Sequence, residues 1–305
     1  MIDFKTLETL VWVANLRSFR GAAEKLHTTQ PAVSMRIAQL DETLRVPLFE
    51  RDRRRVAPTE KGRELIGYAE RLLRLRAEMI EAVGDRSTMR GLVRLGVAET
   101  IVHTWLPAFI ERINTAYPNL ELEIEVDVST NLRDRLVGRD LDLAFLLGPA
   151  SHPSVHSRPL CAFPLAFMAH SAIRLGKKPV SLAEIAHHPV ITYSRNTEPY
   201  AALRELFARA GLQPIIHASA SLATVVHMAL GGIGIATLPP AVLAGMAARG
   251  RLRAIATEAD LPSLNFVVSW LAAPDSFAIQ RVAAIATQVA QARGSMISGV
   301  YRARC

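Results

Sequence analysis

The sequence is poor in cysteine: only Cys161 and Cys305 carry a thiol. Two cysteines cannot supply the disulfide framework of a secreted domain or a cysteine-rich zinc site, so the reducing environment of the cytoplasm is expected. Cys161 is interpreted as a small packed side chain rather than half of a redox pair. No signal-peptide core opens the chain, and no apolar run reaches the roughly 20 residues of a membrane span. We therefore expect no membrane association.

Catalytic motifs are absent as well. No G-x-S-x-G nucleophile elbow occurs. Residues 231–234 lack the Lys-Ser/Thr of a phosphate-binding loop and precede a strand pattern, and His187-His188 has no second ligand pair at metal-binding spacing. We therefore expect no enzyme activity, no cofactor and no bound metal. A triad built from distant residues is invisible in a sequence, so an α/β enzyme with an accessory helical domain stays open as an alternative.

The composition is apolar and basic. Half of the 305 residues are hydrophobic, and 36 Lys+Arg against 28 Asp+Glu give a formal net charge of +8. A chain of this length can form two or three domains with a sizeable core. The positive charge favours polyanionic partners such as nucleic acid.

Residues 19–44 predict two short helices joined by a tight turn. Ser18 and Thr29 are candidate N-caps, and Pro31 fits the first turn of the second helix, where a missing N–H costs nothing. An apolar stripe follows at helical spacing: Val33, Ile37, Leu40 and Leu44. The opposite face is small and nearly uncharged, which suits base edges in a DNA major groove. The residues assigned to DNA contact are Thr29, Gln30, Pro31, Ser34, Met35 and Arg36.

The flanking residues extend this pattern. A helix predicted at 4–14 completes a three-helix unit, and the apolar residues 46–51 lead into a basic turn at 52–56. Arg53 and Arg54 in that turn are expected to reach phosphate or the minor groove as a wing. An ordinary helical hairpin in a protein core is the alternative.

A long helix is predicted from residue 59 to about 83. Its apolar residues are spaced by alternating steps of three and four, which defines a heptad seam of Leu65, Tyr68, Leu72, Leu75 and Met79. A helix of this length is too long for the small domain before it to cover its apolar residues. We therefore expect a dimer contact between two copies of the chain. Packing within its own domain is the alternative.

From residue 91 onward, strand and helix patterns alternate. This alternation predicts two α/β lobes with largely parallel sheets, joined by crossing strands. The strand at 120–128 alternates apolar and acidic residues. Such acidic residues form a row on a solvated face, which is a better explanation than a metal or acid–base site.

Polar residues that follow strands predict a binding cleft. Thr100 follows the first strand, and Ser129 and Thr130 follow the alternating strand. Ligands of open α/β sheets bind at the carboxyl ends of strands, and hydroxyls with helix N-termini favour a small organic anion. Arg195 and Thr197 are expected to close the cleft from the second lobe. Glu99 would repel an anion, so an amine-bearing or neutral ligand stays open, as does a purely capping role for Thr130.

The segment SFRGAAEKLHTTQPAVSMRIAQLDETLRVPLFERDRRRVAPTEKG resembles the winged helix-turn-helix of LysR-type transcriptional regulators. The Ala-Ala pair, Gln-Pro, the helix serine, Pro-Leu-Phe-Glu-Arg and Thr-x-x-Gly recur at the family's spacings. Met35 stands where the family often has Arg, so one basic contact is missing or is supplied by Arg36. The rest of the chain resembles the family's periplasmic-binding-protein-like effector domain through its layout and the GGIGIATLP stretch near residue 231.

The resemblance implies a DNA-binding regulator that responds to a small-molecule effector. The family's linker helix pairs two subunits, and its dimers usually pair into tetramers through the effector lobes. Such a regulator binds an interrupted palindrome in double-stranded promoter DNA, with RNA polymerase as a further candidate partner. The domain bounds that follow are 1–58 for the winged helix-turn-helix, 59–90 for the linker helix and hinge, and 91–300 for the effector domain, with lobe I at 91–161 and 268–300 and lobe II at 162–267.

A solute-binding protein is the main competing hypothesis, because residues 91–300 alone would fit one. The absence of a signal peptide and the 90 residues that precede this region count against it.

Overall fold

The structure is a computed structural model that describes residues 2–50, 56–83, 90–152, 154–176, 179–244, 246, 251–271 and 277–302. The chain separates into two compact units, Met1–Met89 with Leu271–Arg281, and Arg90–Trp270 with Val282–Cys305. No helix of the described part is long and apolar enough to cross a membrane. The domain bounds inferred from the sequence stay a prediction.

The first unit contains four helices: α1 Phe4–Leu16, α2 Phe19–Lys25, α3 Gln30–Leu44 and α4 Glu60–Val83. Both caps predicted from the sequence are confirmed. The side-chain oxygens of Ser18 and Thr29 each accept a hydrogen bond from the backbone N–H three residues on, at 3.0 and 3.4 Å. Thr59 caps α4 in the same way at 3.0 Å. Asp3 caps α1 through a hydrogen bond from Thr6 N at 2.7 Å, so polar side chains fix where all four helices begin.

The apolar faces of these helices meet in one core. Val33, Ile37 and Leu40 of the predicted stripe are buried beside Leu10 and Trp12 of α1. Gly62, the last residue of Thr-x-x-Gly, lies so close to the backbone of Leu48 that a Cβ would collide with its carbonyl group. Close packing of α4 on the preceding segment therefore requires glycine here.

The second unit begins with a five-stranded sheet. Its strands are β1 Gly91–Val97, β2 Leu120–Val126, β3 Leu143–Leu147, β4 Val155–Pro164 and β10 Ser263–Leu271, in the spatial order β2-β1-β3-β10-β4. β1 pairs in parallel with β2 and β3, whereas β10 returns antiparallel to β3. The connecting helices are α5 Glu99–Val102, α6 Leu106–Ala116 and α7 Ser129–Val137.

A second five-stranded sheet follows. Its strands are β5 Ala166–His170, β6 Val190–Tyr193, β7 Ile216–Ser219, β8 Ile235–Leu238 and β9 Leu252–Ala254, in the order β7-β6-β8-β5-β9. The helices between these strands are α8 Leu182–Ala186, α9 Glu198–Arg209, α10 Leu222–Leu230 and a 3-10 helix at Pro240–Ala244, and α11 Phe277–Arg302 follows β10. Separate apolar clusters surround α10 and α9, because each face of the sheet needs its own cover. The predicted α/β class with two lobes is confirmed.

β2 is an edge strand with the alternation that its sequence predicts. Glu121 and Glu123 are exposed, whereas Leu122 and Ile124 are half-buried. Glu125 departs from the predicted solvated row because its carboxylate pairs with the guanidinium of Arg135 on α7.

Several elements differ from the sequence-based expectation. β4, α8 and β9 were not predicted, and Pro159 within β4 disguises that strand. Proline is tolerated there because β4 lies at the sheet edge, so one side of this strand has no neighbouring strand to bond. α6 begins at Leu106, with Pro107 in its first turn. The expected lobe junctions at 161/162 and 267/268 fall inside β4 and β10, which both belong to the first sheet.

Cys161 is half-buried in β4. Burial raises the pKa of its thiol to about 11, with an opposing hydrogen bond to Trp105. A thiol with such a pKa is almost wholly protonated at neutral pH, which fits a small packed side chain better than a reactive one.

Candidate functional site

α3 presents an exposed polar face opposite its buried stripe. Thr29, Gln30, Pro31 and Ser34 are all exposed, and Met35 is 60% exposed. Five of the six α3 residues assigned to DNA contact therefore share one accessible surface at the start of the helix. A surface of this size, with an amide and hydroxyls at its leading end, fits the width of a major groove.

Arg36 differs from the other five because it turns back onto its own unit. Its Nη1 donates to Oγ1 of Thr9 on α1 at 3.4 Å, and that buried hydroxyl donates in turn to the carbonyl of Lys5 at 2.7 Å. A contact with DNA would require the guanidinium to leave Thr9. Met35 stands where the family often has an arginine. Arg36 could replace that basic contact only by giving up its hydrogen bond to Thr9.

Arg53 and Arg54, the predicted wing residues, lie outside the described residues. The chain on either side of them is paired: Phe49 and Pro58 form an antiparallel bridge, and Glu50 N donates to Ala57 O at 2.8 Å. The two flanks of the basic turn are thus held together as the base of a hairpin.

The predicted seam on α4 divides into two parts. Leu65 is half-buried and packs against the core of its own unit. The remaining four, Tyr68, Leu72, Leu75 and Met79, are 55%, 47%, 61% and 59% exposed. An apolar stripe of this length on one helix is unusual for a surface that faces only water.

A cavity of about 170 Å³ lies in the second unit at the carboxyl ends of the strands. Thr100, Ser129, Thr130 and Thr197, four of the five predicted cleft residues, line it. Arg195 is exposed and is not among the residues that line it, so its role as the cation of the cleft stays a prediction.

The hydroxyls of the cavity already accept hydrogen bonds from the protein. Oγ of Ser129 accepts from Leu147 N at 2.8 Å, and Oγ1 of Thr130 accepts from Nδ2 of Asn196 at 3.4 Å. Each hydroxyl can therefore direct its own hydrogen toward a ligand acceptor. Neither hydroxyl caps α7 by a side-chain hydrogen bond, so the purely capping role considered for Thr130 is wrong.

Arg133 is the cavity residue that the sequence analysis missed. It lies one turn after Ser129 on α7, and its Nη2 donates to Leu147 O at 3.1 Å. Its Nε is buried and has no hydrogen-bond partner in the described structure. The spacing of four residues from Ser129 was the available signal, because residues i and i+4 share a helix face.

Tyr193 supplies a second buried group without a partner. The phenol lines the cavity, and its Oη makes no hydrogen bond among the described residues. Burial raises the pKa of this phenol far above its ordinary value, with a smaller lowering by the Thr100 hydroxyl and a raising by the Glu99 carboxylate. The group is therefore a neutral O–H donor at any physiological pH.

Glu99 makes contacts that no local pattern could show. Its carboxylate accepts from the backbone N–H groups of Leu222 and Ala223 at 2.5 and 3.1 Å and from Oγ of Ser221 at 3.3 Å. These donors form the N-terminus of α10, where N–H groups and the helix dipole stabilise negative charge. Nε2 of His103 lies 3.5 Å from the same carboxylate. The helix that Glu99 caps therefore holds this carboxylate in a fixed position at the cavity.

No three His, Cys, Asp or Glu side chains of the described residues are arranged to hold a metal ion. The lining includes the carboxylates of Glu99, Asp127 and Glu198, of which the first two accept hydrogen bonds from the protein. The donors that the cavity offers are the Ser129 and Thr130 hydroxyls, a guanidinium N–H and a phenol. Such a set suits an acceptor-bearing organic molecule.

Comparison with known proteins identifies both parts of the chain. Residues 4–63 match the family described as "Bacterial regulatory helix-turn-helix protein, lysR family", and residues 86–291 match the "LysR substrate binding domain". The chain belongs to the LysR family. It is a LysR-type transcriptional regulator, with a DNA-binding helix-turn-helix and an effector-responsive domain.

Relatives of this LysR-type regulator are themselves named regulators. It is 31% identical to the HTH-type transcriptional regulator BbuR of Bordetella bronchiseptica over 272 residues, which cover 88% of this chain and 82% of BbuR. It is 26% identical to the HTH-type transcriptional regulator GltR of Bacillus subtilis, with 83% and 84% covered. A solute-binding protein would not account for the match at residues 4–63.

Solved structures show the same fold over nearly the whole chain. A structure of OxyR from Corynebacterium glutamicum superposes with a TM-score of 0.57 at 21% identity and covers 98% of this chain and 95% of OxyR. Full-length BenM gives a TM-score of 0.56 at 22% identity, with 96% and 98% covered. At these identities the likeness establishes the fold alone, namely a helix-turn-helix followed by a periplasmic-binding-protein-like region.

Proposed function

We propose that this LysR-type regulator reads promoter DNA with the exposed face of α3 as a homodimer, and that a small organic anion in the cavity changes its DNA complex. The observation that carries the effector half is the buried, unpartnered Nε of Arg133 beside the cavity hydroxyls. A guanidinium N–H buried without an acceptor is costly unless an acceptor joins it, and the positive charge of the group favours an anion. Because promoter DNA is its target, the regulator is proposed to act in the cytoplasm, with RNA polymerase as a further partner.

The DNA half rests on the chemistry of the α3 face. The Gln30 amide can bond both N6 and N7 of adenine, Ser34 can bond a base edge or a phosphate, and the exposed Met35 can contact a thymine methyl group. Thr29 and Pro31 lie beside them at the start of the helix. Arg53 and Arg54 add charge for the phosphate backbone, in keeping with the net charge of +8.

Gln30→Ala is expected to weaken binding to the specific operator by about 1–3 kcal/mol and to relax the preference at one base position, because it removes a two-point amide contact. A mobility shift with operator variants at each base position measures both effects. Gln213→Ala is the matched control, since Gln213 is an exposed glutamine of the second unit, outside the helix-turn-helix. Equal losses for both variants would contradict this docking.

Arg53→Ala is expected to behave differently. It should weaken operator and unrelated DNA alike and reduce the slope of log K against log salt by about 1, as loss of one phosphate contact does. Titration at several salt concentrations separates the two kinds of contact. An unchanged slope would remove Arg53 from the interface.

The dimer is proposed to form through α4. One helix-turn-helix reads one half-site, so specificity requires two units spaced by about 34 Å, one turn of DNA, or a multiple of it. The exposed stripe of Tyr68, Leu72, Leu75 and Met79 supplies an apolar surface for such a contact. Pairing of dimers into tetramers through the effector domains is a further proposal drawn from the family.

Thr130→Val is expected to blunt the effector response while operator affinity without effector stays unchanged. The change keeps the volume and removes a hydroxyl, whose hydrogen bond to a ligand is worth about 0.5–1.5 kcal/mol. Titration of effector against the DNA complex of both proteins measures it. Thr115→Val is the control, because the Thr115 hydroxyl bonds Glu111 O of its own helix outside the cavity. Identical response curves for Thr130→Val and the unaltered protein would place the effector elsewhere.

A further inference from the structure

The cavity contains two positions suited to a carboxylate, and the protein fills one of them itself. The N-terminus of α10 is such a position, because Leu222 N, Ala223 N and the Ser221 hydroxyl converge there. The Glu99 side chain, which comes from the first sheet, occupies it. These three donors are therefore not available to a ligand while Glu99 stays in place.

The second position is open. Arg133 and Tyr193 both line this cavity, and Nε of the first and Oη of the second are buried without a hydrogen-bond partner in the described structure. Both are donors, so the group that satisfies them is an acceptor. Because one donor belongs to a guanidinium, a carboxylate is favoured over a neutral carbonyl.

The remaining space is small and largely apolar. The cavity volume of about 170 Å³ is close to the ~150 Å³ of an engineered cavity that holds benzene. Leu222, Leu264 and Phe266 contribute apolar lining. The ligand body is accordingly about one six-membered ring or an aliphatic chain of similar size.

We propose that Glu99 acts as a built-in second carboxylate and thereby restricts the effector to singly charged acids. The effector is then a monocarboxylate whose acid group meets Arg133 and Tyr193 and whose uncharged body lies toward Glu99. A dicarboxylate of the same skeleton would bring its second charge toward the Glu99 carboxylate, and like charges at close range disfavour binding. This inference rests on the proposed function, because it assumes that the effector occupies this cavity.

The test compares matched acids on the full-length protein by isothermal titration calorimetry. Benzoate is paired with terephthalate, and hexanoate with adipate, so that each pair differs by one carboxylate. The unaltered protein is expected to bind at least one monocarboxylate about tenfold or more tightly than its dicarboxylate. A dicarboxylate bound as tightly as its partner, or no binding of either monocarboxylate, overturns the inference.

Variants at Glu99 decide whether this residue sets the preference. Glu99→Gln removes the charge at nearly constant shape, and Glu99→Ala also frees the donors of α10. In both variants the dissociation constant of the dicarboxylate divided by that of the monocarboxylate should fall by about tenfold. Glu99→Ala should also bind the dicarboxylate more tightly than the unaltered protein does. Circular dichroism confirms folding, and if one variant fails to fold the other carries the test.

Glu198→Gln is the matched control, because Glu198 is a second carboxylate of the cavity lining but is exposed. It should leave the ratio unchanged, and an equal effect at Glu198 would mean that general charge, not Glu99, excludes dicarboxylates. Arg133→Gln separates this inference from the proposed function. If it leaves monocarboxylate binding intact, the anion site itself is wrong, whereas an unchanged ratio in both Glu99 variants refutes only the role of Glu99.

Discussion

Leu72→Asp is expected to give a folded regulator that no longer binds a full operator. Leu72 is 47% exposed within its own chain, so a carboxylate there costs the single subunit little. In a dimer seam the same carboxylate would be buried without a partner, at a cost on the order of 3 kcal/mol or more. Dimer dissociation should then increase by at least ~100-fold. Analytical ultracentrifugation and a mobility shift with one and two half-sites measure the two effects.

Leu73, the residue after Leu72, is a control for a change in the core of the unit instead of the seam. Leu73 is 4% exposed and belongs to the core of its own unit. Leu73→Ala should lower the free energy of unfolding by about 2–5 kcal/mol, as truncation of a buried leucine does, while the folded protein stays dimeric. Leu72→Met, which keeps the seam apolar, should behave like the unaltered protein. A Leu72→Asp protein that sediments as the same dimer would move the interface away from this stripe.

Arg133→Gln is expected to abolish most of the effector response. Removal of one partner from a buried charge pair costs about 2–5 kcal/mol, so the effector concentration for half-maximal response should rise by at least ~30-fold. Operator affinity without effector should stay the same, because α3 is untouched. The measurement is a titration of effector against the preformed DNA complex.

The melting temperature distinguishes recognition from a structural role. The Arg133 guanidinium donates one hydrogen bond, from Nη2 to Leu147 O, and its Nε has no partner in the described structure, so Arg133→Gln should lower the effector-free melting temperature no more than Arg135→Gln does. Arg135→Gln is the control on the same helix, because Arg135 pairs with Glu125 and lies outside the cavity lining. It should lower stability slightly and leave the response intact. If instead Arg133→Gln lowers the melting temperature and keeps the response, Arg133 is structural.

Most of the fold could be predicted from short-range sequence patterns. The caps at Ser18 and Thr29 and the stripe of Val33, Ile37 and Leu40 depend on neighbours within four residues, so the sequence reveals them directly. β4 was not predicted, because its partner is β10, a strand about a hundred residues later, and because Pro159 breaks its strand pattern. Strands of this kind are defined by their pairing and not by their own residues.

In the cavity, too, residues defined by their local sequence were predicted, whereas contacts between residues far apart in the sequence were not. Thr100, Ser129 and Thr130 were found because the carboxyl ends of parallel strands open on one edge of a sheet. Arg195 does not line the cavity, and a loop side chain has no period from which its direction could be predicted. Glu99 was expected to repel an anion, but its partners at 221–223 lie more than 120 residues away in sequence. Contacts at that separation follow from the packed fold alone.

The edge position of β2 has a consequence for how the protein behaves in a crowded solution. An unpaired strand edge can template a strand from another molecule, which is a common start of aggregation. On β2 the exposed carboxylates of Glu121 and Glu123 stand beside that edge, and a second copy approaching in register would bring like charges together. Glu123 is partly balanced by Arg94, 3.6 Å away, and we expect the row as a whole to disfavour pairing of this edge between molecules, an effect independent of DNA and effector.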